Sequence, residues 1–455
     1  MASENAQGLN NGVWIWVKGI VQKNIVNKVM GIAKDAKNLG EEDPRRIFHS
    51  IKVGLAITLV SLFYYFDFFY EGLGVSAMWA VMTVVVIFEF SVGATLGKGV
   101  NRGIATLLGG ASGVAAHRLA SFGGENQECI ILGLFVFFIA TMVTFIRFFP
   151  KLKARYDYGL MIFILTFSLI SVSGYREDEV IKMANRRLST ILIGGLVTIC
   201  ICVFICPIWA GEDLHKLIAS SIEKLGIFLE GFGHEYFEMP NDNKDHKEKK
   251  TSLDAYKSVL NSKGIEDSLV NFAKWEPRHG KFRYRHPWDQ YLEIGSLTRE
   301  CACRIDALNG FLNSDMQTTK EIRTKIQEPC TKMSSECSYA LNELAIGIKT
   351  MTSCTLSADP HIRNAKTAAK KLKSSLQTGL WPETDLLDLI PAATVASLLI
   401  EIVSCTMKIA DSVHELALLS KFKIPDPSTP KHKGLEKLTK APSIEQSHNF
   451  GIAVE

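Results

Sequence analysis

The stretch GATLGKGVNRGIATLLGGASG, residues 93–113, decides the fold of this chain, because it places two basic residues inside apolar, glycine-rich sequence. Such a composition is typical of a membrane helix. A charge at bilayer depth costs about 2.5–3.5 kcal/mol on insertion scales, so it normally faces a partner or a water-filled path. Lys98 and Arg102 lie four residues apart and therefore share one helix face. Two stacked cations predict a route for anions.

Further apolar segments of similar length surround this one and predict an all-α, polytopic membrane protein with six transmembrane helices followed by a cytosolic helical domain. The six segments cover residues 51–70, 73–90, 93–120, 129–149, 158–174 and 187–209. The predicted domains are a cytosolic N-terminal segment (1–46), a transmembrane domain (47–210), a cytosolic helical domain (211–422) and a disordered tail (423–455).

The charges of the connections predict the orientation. Arg45 and Arg46 precede the first segment, and the connection RFFPKLKARYD (147–157) carries four more basic residues. The positive-inside rule places both on the cytosolic side. An even number of spans then places the C-terminal half, with its scattered cysteines, in the cytosol as well.

The N-terminal region carries apolar residues at helical spacing from Trp14 to Ala36, with lysines between them. This pattern fits an amphipathic helix on an anionic membrane surface. An ordinary helix packed on the soluble domain fits it equally well.

Composition and motifs exclude several other classes of function. The net charge of +4 is too small to indicate nucleic-acid binding. No cysteine or histidine spacing is typical of zinc, and no P-loop or GxSxG motif is present. We therefore expect neither an enzyme nor a cofactor. The segment 275–291 interleaves aromatic and basic residues; it could bind phosphate or an acidic surface, or it could pack between cytosolic helices.

The third and sixth apolar segments carry the candidate pore residues. Arg186 and Arg187 open the sixth segment and point about 100° apart on a helix, so only one easily faces a central pathway. Lys98 and Arg102 could instead pair with Glu89, although one acid cannot neutralise two bases. Rings of basic side chains select anions by replacing part of their hydration.

Several motifs in register resemble one protein family. They are EDPRRIFHSIKVGLA (42–56), WAVMTVVVIFEFSVGATLGKGVNRG (79–103), FFPKLKARYDYG (148–159), FILTFSLISVSGYR (163–176), CPIWAGEDLHK (206–216) and WEPRHGKFRYRHPW (275–288). On these motifs the chain resembles the plant aluminium-activated malate transporter family, whose signature here is Trp275, Glu276 and Pro277.

The resemblance implies a homodimeric anion channel that passes malate and often inorganic anions across the lipid bilayer. It implies a pore lined by Lys98, Arg102 and Arg187, with Arg186 less well matched. We expect the plasma membrane, with the vacuolar membrane as the alternative. A proton-coupled dicarboxylate carrier and a membrane-anchored helical scaffold are the rival functions.

Activation by external Al3+ is implied for some members only. Oxygen ligands suit a small trivalent cation, by extension from other hard cations. The candidate acids on the outer side are Glu177, Asp178, Glu179, Asp67 and Glu71. Lys182 lies one turn beyond Asp178, and its charge opposes binding of a trivalent cation.

Overall fold

The computed structural model describes residues 27–65, 78–174, 180–237, 254–283, 286–312, 320–353, 355–377 and 386–424. Within these ranges the predicted all-α class is confirmed: long helices dominate, and the β-type contacts are two isolated bridges. The predicted tail lies almost wholly outside the described residues.

The helices form an N-terminal half and a C-terminal body. In the N-terminal half they are α1 (27–42), α2 (Arg45–Tyr65), α3 (Met78–Ile87), α4 (Val92–Ser121), α5 (Glu125–Ile146), α6 (Pro150–Gly174) and α7 (Val180–Phe204). In the C-terminal body they are α8 (Ala210–Phe237), a 3-10 turn (Asp254–Tyr256), α9 (Lys257–Leu260), α10 (Lys263–Ala273), α11 (Trp288–Leu312), α12 (Lys320–Thr350), α13 (Thr355–Gln377) and α14 (Leu386–Ser420).

Helix α4 is the central element of the N-terminal half and packs against α5, α6 and α7. It runs unbroken for 30 residues, so the glycines do not interrupt it. A Cβ atom at Gly109 would lie 2.9 Å from the Phe163 carbonyl oxygen, and one at Gly113 would lie 3.0 Å from Ile170 Cβ. This glycine pair therefore permits close packing of α4 on α6, as its spacing predicts.

The outer surface of the N-terminal half is apolar, with large exposed side chains such as Phe137, Phe138 and Phe145. In the described part of the chain, four helices are long and apolar enough to cross a membrane. They cover Gln127–Ile146, Pro150–Val172, Arg187–Phe204 and Leu389–Ser420. The chain is thus an all-α protein of membrane character.

Two of the observed helices differ from the predicted spans. Leu389–Ser420 has the composition of a span, but α14 packs on α11, α12 and α13 in the core of the C-terminal body. The second predicted segment, 73–90, contains the ten-residue helix α3, and its first residues lie outside the described ranges. The count of six spans therefore stays a prediction.

Two local features of the N-terminal half differ from or refine the sequence interpretation. The connection 147–157 is helical from Pro150, because proline suits the first helical position and the Lys153 N–H reaches the Phe149 carbonyl at 2.9 Å. Residues 27–38 of α1 are exposed along their whole length. Packing of this stretch on the C-terminal body is therefore not observed.

The C-terminal body has one continuous apolar core, in which Phe228, Phe232, Tyr256 and Tyr291 are fully buried. Helix α8 packs against α10, α11 and α12 and so forms the axis of this body. Because α8 begins six residues after α7 ends, it also connects the body directly to the N-terminal half.

Candidate functional site

Arg102 is a buried basic side chain of the N-terminal half that has no acidic partner among the described residues. It is only 6% exposed, although it carries a permanent charge. Its Nη1 donates to the Tyr158 hydroxyl at 3.0 Å, and its buried Nε has no hydrogen-bond partner among the described residues. The neighbouring Asn101 amide donates to the Arg155 carbonyl at 3.0 Å, which fixes this face of α4 against α6. A buried guanidinium with a spare donor is chemically suited to an anion.

Lys98, one turn before Arg102, forms an ion pair with Glu89. Glu89 lies in the short connection between α3 and α4, where the Thr95 hydroxyl accepts its N–H at 3.0 Å. Lys98 Nζ also lies 5.8 Å from the centre of the Tyr158 ring. The single acid therefore neutralises Lys98 and leaves Arg102 to a neutral phenol.

Arg187 lies on α7, and its guanidinium carbon is 4.1 Å from the centre of the Trp79 ring. A cation over an indole face is a favourable pair that leaves the charge in place. The positive charge of Arg102 acts on Arg187 directly, so the two guanidiniums share one electrostatic environment. The side chain of Arg186 lies outside the described residues.

Tyr158 and Arg102 thus connect the predicted basic residues: Tyr158 contacts Lys98 and Arg102, and Arg102 repels Arg187. Among the described side chains, neither Arg102 nor Arg187 has a carboxylate partner. The arrangement presents a positive field between α3, α4, α6 and α7. We term Lys98, Arg102, Arg187 and Tyr158 together the cation cluster.

Lys52 on α2 is a further buried cation, which sequence reasoning did not select. It is 1% exposed, and its Nζ donates to the Cys206 carbonyl at 3.2 Å, just after the end of α7. A cation satisfies carbonyls at such a helix end. A lysine within the first apolar segment was the available signal, by the same reasoning that selected Lys98.

The signature Trp275, Glu276 and Pro277 lies where the two halves of the chain meet. The side chain of Glu276 is 1% exposed; its Oε1 accepts the Ala210 N–H at 2.6 Å and its Oε2 accepts the Gly211 N–H at 3.1 Å. It also accepts the Gly93 N–H. The carboxylate thereby caps the start of α8 and contacts the start of α4.

Burial raises the pKa of Glu276 to about 7, against the opposing effect of the three N–H groups. Desolvation disfavours the charged carboxylate, whereas hydrogen bonds from backbone N–H groups at a helix start favour it. The carboxyl group of Glu276, at the contact between α4 and α8, therefore has a pKa near neutral pH.

Trp275 packs on helix α4 at Gly97. A Cβ at Gly97 would lie 3.0 Å from Trp275 Cδ1, and the guanidinium carbon of Arg155 is 5.0 Å from the indole centre. A Cβ at Gly93 would lie 2.7 Å from the Phe272 carbonyl carbon. Of the two interpretations of segment 275–291, packing is supported, but it packs the body against α4 and α6 as well as within the body.

Two other contacts join the same ends of the helices to the C-terminal body. Arg45, at the start of α2, donates to both Asp213 oxygens, at 2.8 and 3.0 Å. The Val92 N–H at the start of α4 donates to the Ile208 carbonyl at 2.9 Å. The starts of α2, α4 and α6 therefore all lie on the side of the C-terminal body.

The candidate Al3+ acids Asp67, Glu71, Glu177, Asp178 and Glu179 lie outside the described residues. Within the described ranges, no group of three or more histidine, cysteine or acidic residues could hold a metal ion. Their proposed role stays a prediction.

Comparison with known proteins gives consistent matches over most of the chain. The sequence profile of the family described as "Aluminium activated malate transporter" matches residues 37–381. The chain is 54% identical over 400 residues to "Aluminum-activated malate transporter 2" of Arabidopsis thaliana, covering 88% of this chain and 80% of that protein. It is 51% identical over 426 residues to "Aluminum-activated malate transporter 7" of the same plant, covering 88% and 84%. It is 44% identical over 408 residues to "Aluminum-activated malate transporter 1" of Triticum aestivum, covering 88% of each.

Proposed function

Because this chain belongs to the aluminium-activated malate transporter family, a family of transporters and not of enzymes, we propose that it passes malate and related anions across a plant membrane as a passive channel. The names of its relatives support malate as the substrate. The finer proposal is a homodimer whose subunits each contribute Lys98, Arg102, Arg187 and Arg186 to a positively charged pathway.

The state of Arg102 carries this proposal. A guanidinium that is 6% exposed, hydrogen-bonded to a phenol and left with an Nε that has no partner among the described residues is costly unless an anion or water reaches it. Arg187, stacked on Trp79, adds a second charge that no described acid neutralises. Such separated cations attract a carboxylate without holding it in a dense cage, which favours conduction.

A channel of this kind needs no coupled energy source for release. A dianion leaving a cell with a membrane potential of about 100 mV, negative inside, gains about 4.6 kcal/mol, at about 2.3 kcal/mol per charge. Malate efflux would therefore follow from the potential alone.

We propose that both termini lie in the cytosol and that the membrane is the plasma membrane. Basic residues near the starts of α2 and α6 support this orientation. The contacts of Arg45 with Asp213 and of Arg155 with Trp275 support it further, because they place those starts beside the C-terminal body. We also propose the limits 47–210 for a transmembrane domain and 211–422 for a cytosolic one; the start of α8 at Ala210 supports a boundary near this position.

Voltage clamp of oocytes that express the full chain and are loaded with malate tests this function. Arg102→Gln should lower the malate current by about tenfold, because one charge within a few ångströms contributes about 1–3 kcal/mol to anion occupancy at an intermediate dielectric constant. Arg118→Gln, at the exposed far end of α4, removes the same charge and should leave the current unchanged. Equal currents in Arg102→Gln and the wild type, at equal surface expression, would remove Arg102 from the pathway.

The same recordings separate the rival functions. A proton-coupled carrier would shift its reversal potential with the pH gradient, whereas a channel follows the anion gradient. Purified protein in liposomes that releases no malate under an imposed potential would favour the scaffold. External Al3+ tests the outer acids: a rise in current would support their role, and no response would fit the opposing charge of Lys182.

A further inference from the structure

A cavity of about 490 Å³ opens at the junction between the N-terminal half and the C-terminal body. Its charged and titratable lining includes Arg155 from α6 together with Lys274, His279, Arg283, His286 and Asp289 from the body. The volume falls in the range of cavities that bind small organic ligands, about 300–1,000 Å³. We term it the junction cavity.

The charges that line the junction cavity do not cancel. Lys274 forms an ion pair with Asp289 at 2.7 Å, and the carboxylate of Glu276 is occupied by backbone N–H groups of the helix starts. Arg155 and Arg283 remain, and neither has an acidic partner among the described residues. Two permanent positive charges therefore face one cavity without a paired acid, and Glu276, whose pKa burial raises to about 7, adds less than one full negative charge near neutral pH.

The remaining polar lining is neutral at cytosolic pH. Burial lowers the pKa of His286 to about 4 and lowers that of His279 below its ordinary value. Phe282 and Trp288 provide buried aromatic walls. The cavity thus offers two guanidiniums, neutral imidazoles and an apolar wall, a set that suits a compact dianionic group attached to a larger body.

We propose that the junction cavity binds a phosphorylated ligand whose phosphate is held by Arg155 and Arg283. Guanidinium groups match the oxygens of phosphate in paired, charge-assisted hydrogen bonds. Arg155 lies in the first turns of α6, beside Lys151 and Lys153. In the proposed orientation this is the depth of the inner headgroups, so the phosphate can come from an inositol phospholipid or from a soluble organic phosphate.

Binding to the full-length chain in detergent micelles tests this assignment with two probes. One is a short-chain inositol bisphosphate phospholipid and the other is inositol trisphosphate, which lacks acyl chains. Binding of both with similar affinity would identify a soluble source, and binding of the phospholipid alone would identify a lipid source. Either result supports the site, and saturable binding of neither overturns it.

Substitutions locate the binding. Arg283→Gln and Arg155→Gln should each weaken it by about tenfold or more, whereas Arg283→Lys should lose less because it keeps the charge. Arg278→Gln is the matched control, since Arg278 is exposed in the same segment but does not line the cavity. An equal loss in Arg278→Gln and Arg283→Gln overturns the site, as does full competition by malate at the same concentration as the phosphate probe.

The test does not depend on conduction. Because Arg283 is exposed and has no described acid partner, its replacement should leave the melting temperature unchanged, and this is measured alongside binding. A chain that binds the probe but passes no malate would refute the channel and keep the site. A chain that conducts malate but binds no probe would refute the phosphate site and keep the channel.

Discussion

Replacement of Glu276 gives the sharpest test of how the two halves of the chain are joined. Its pKa of about 7, raised by burial above the ordinary 4.5, means that the folded protein keeps a proton that the unfolded chain has lost. The difference corresponds to about 3 kcal/mol. This contribution to stability is fully present below pH 4.5 and is lost as the pH rises through about 7.

The expected result is a change of pH dependence and not only of stability. In Glu276→Gln the side chain cannot ionise, so only the wild type should lose this stability: its unfolding free energy relative to that of the variant should fall by up to about 3 kcal/mol between pH 4.5 and pH 7.5. In a body of this size that is a change of several degrees in melting temperature. Glu276→Ala should be less stable than Glu276→Gln, by about 1–3 kcal/mol, because it leaves the Ala210 and Gly211 N–H groups buried without an acceptor.

The assay is thermal unfolding of the detergent-solubilised full chain, followed by tryptophan fluorescence from pH 4.5 to pH 7.5. Glu212→Gln is the control. Glu212 lies in the first turn of α8, the turn that Glu276 caps, but its side chain is about half exposed and paired with Lys216. It should keep the pH dependence of the wild type. If Glu276→Gln also keeps it, the carboxylate is not buried at the junction and our account of Glu276 is wrong.

Three further predictions concern single contacts. Gly93→Ala should lower the free energy of unfolding by about 1–3 kcal/mol, and with it the melting temperature, because the new Cβ would meet the Phe272 backbone. Gly103→Ala is the control: a Cβ there has nothing within 4 Å and should cause no loss of stability. Equal losses in the two variants would contradict this packing. Arg45→Met should cost about 1–3 kcal/mol by leaving the largely buried Asp213 without its hydrogen-bonded cation, whereas Arg46→Met, next to a more exposed Glu42, should cost under about 0.5 kcal/mol in the same melts. Glu89→Gln should increase the malate current severalfold by releasing the charge of Lys98, while Glu128→Gln, in α5 beside His117 at the other end of α4, should not; unchanged currents in both would mean that Lys98 is outside the pathway.

Local patterns in the sequence were sufficient to predict the all-α class and to select Lys98 and Arg102, whereas Arg187 was preferred over Arg186 on the family resemblance, and the role of all three in a pathway stays a prediction. Apolar segments of span length and charges inside them are visible without a structure. The sequence did not predict which basic residue pairs with Glu89. That acid lies in a bend between two helices, and the path of the backbone there depends on the hydrogen bond from the Glu89 N–H to Thr95. Lys52 was missed although its signal was of the same kind.

The glycines of α4 show where local pattern ends. Their spacing predicts close helix packing, and Gly109 and Gly113 pack in that way against α6. Gly93 and Gly97 instead pack against Phe272 and Trp275, respectively, which lie more than 170 residues away in the chain. Periodicity describes which face of a helix is small, but it contains no information on which distant segment fills that face.

Helix α4 therefore has two partners, and their placement on one rigid element connects the body to the proposed pathway. Its first turns contact Trp275 and Glu276, and Arg102 follows Gly93 by nine residues, or about 14 Å along the axis. Because α4 is unbroken, a displacement of the body against its first turn must move Arg102 or separate the contact at Gly93. The close fit at Gly93 and Gly97 resists separation, so movement of the body is transmitted to the buried guanidinium of Arg102, which we propose faces the anion.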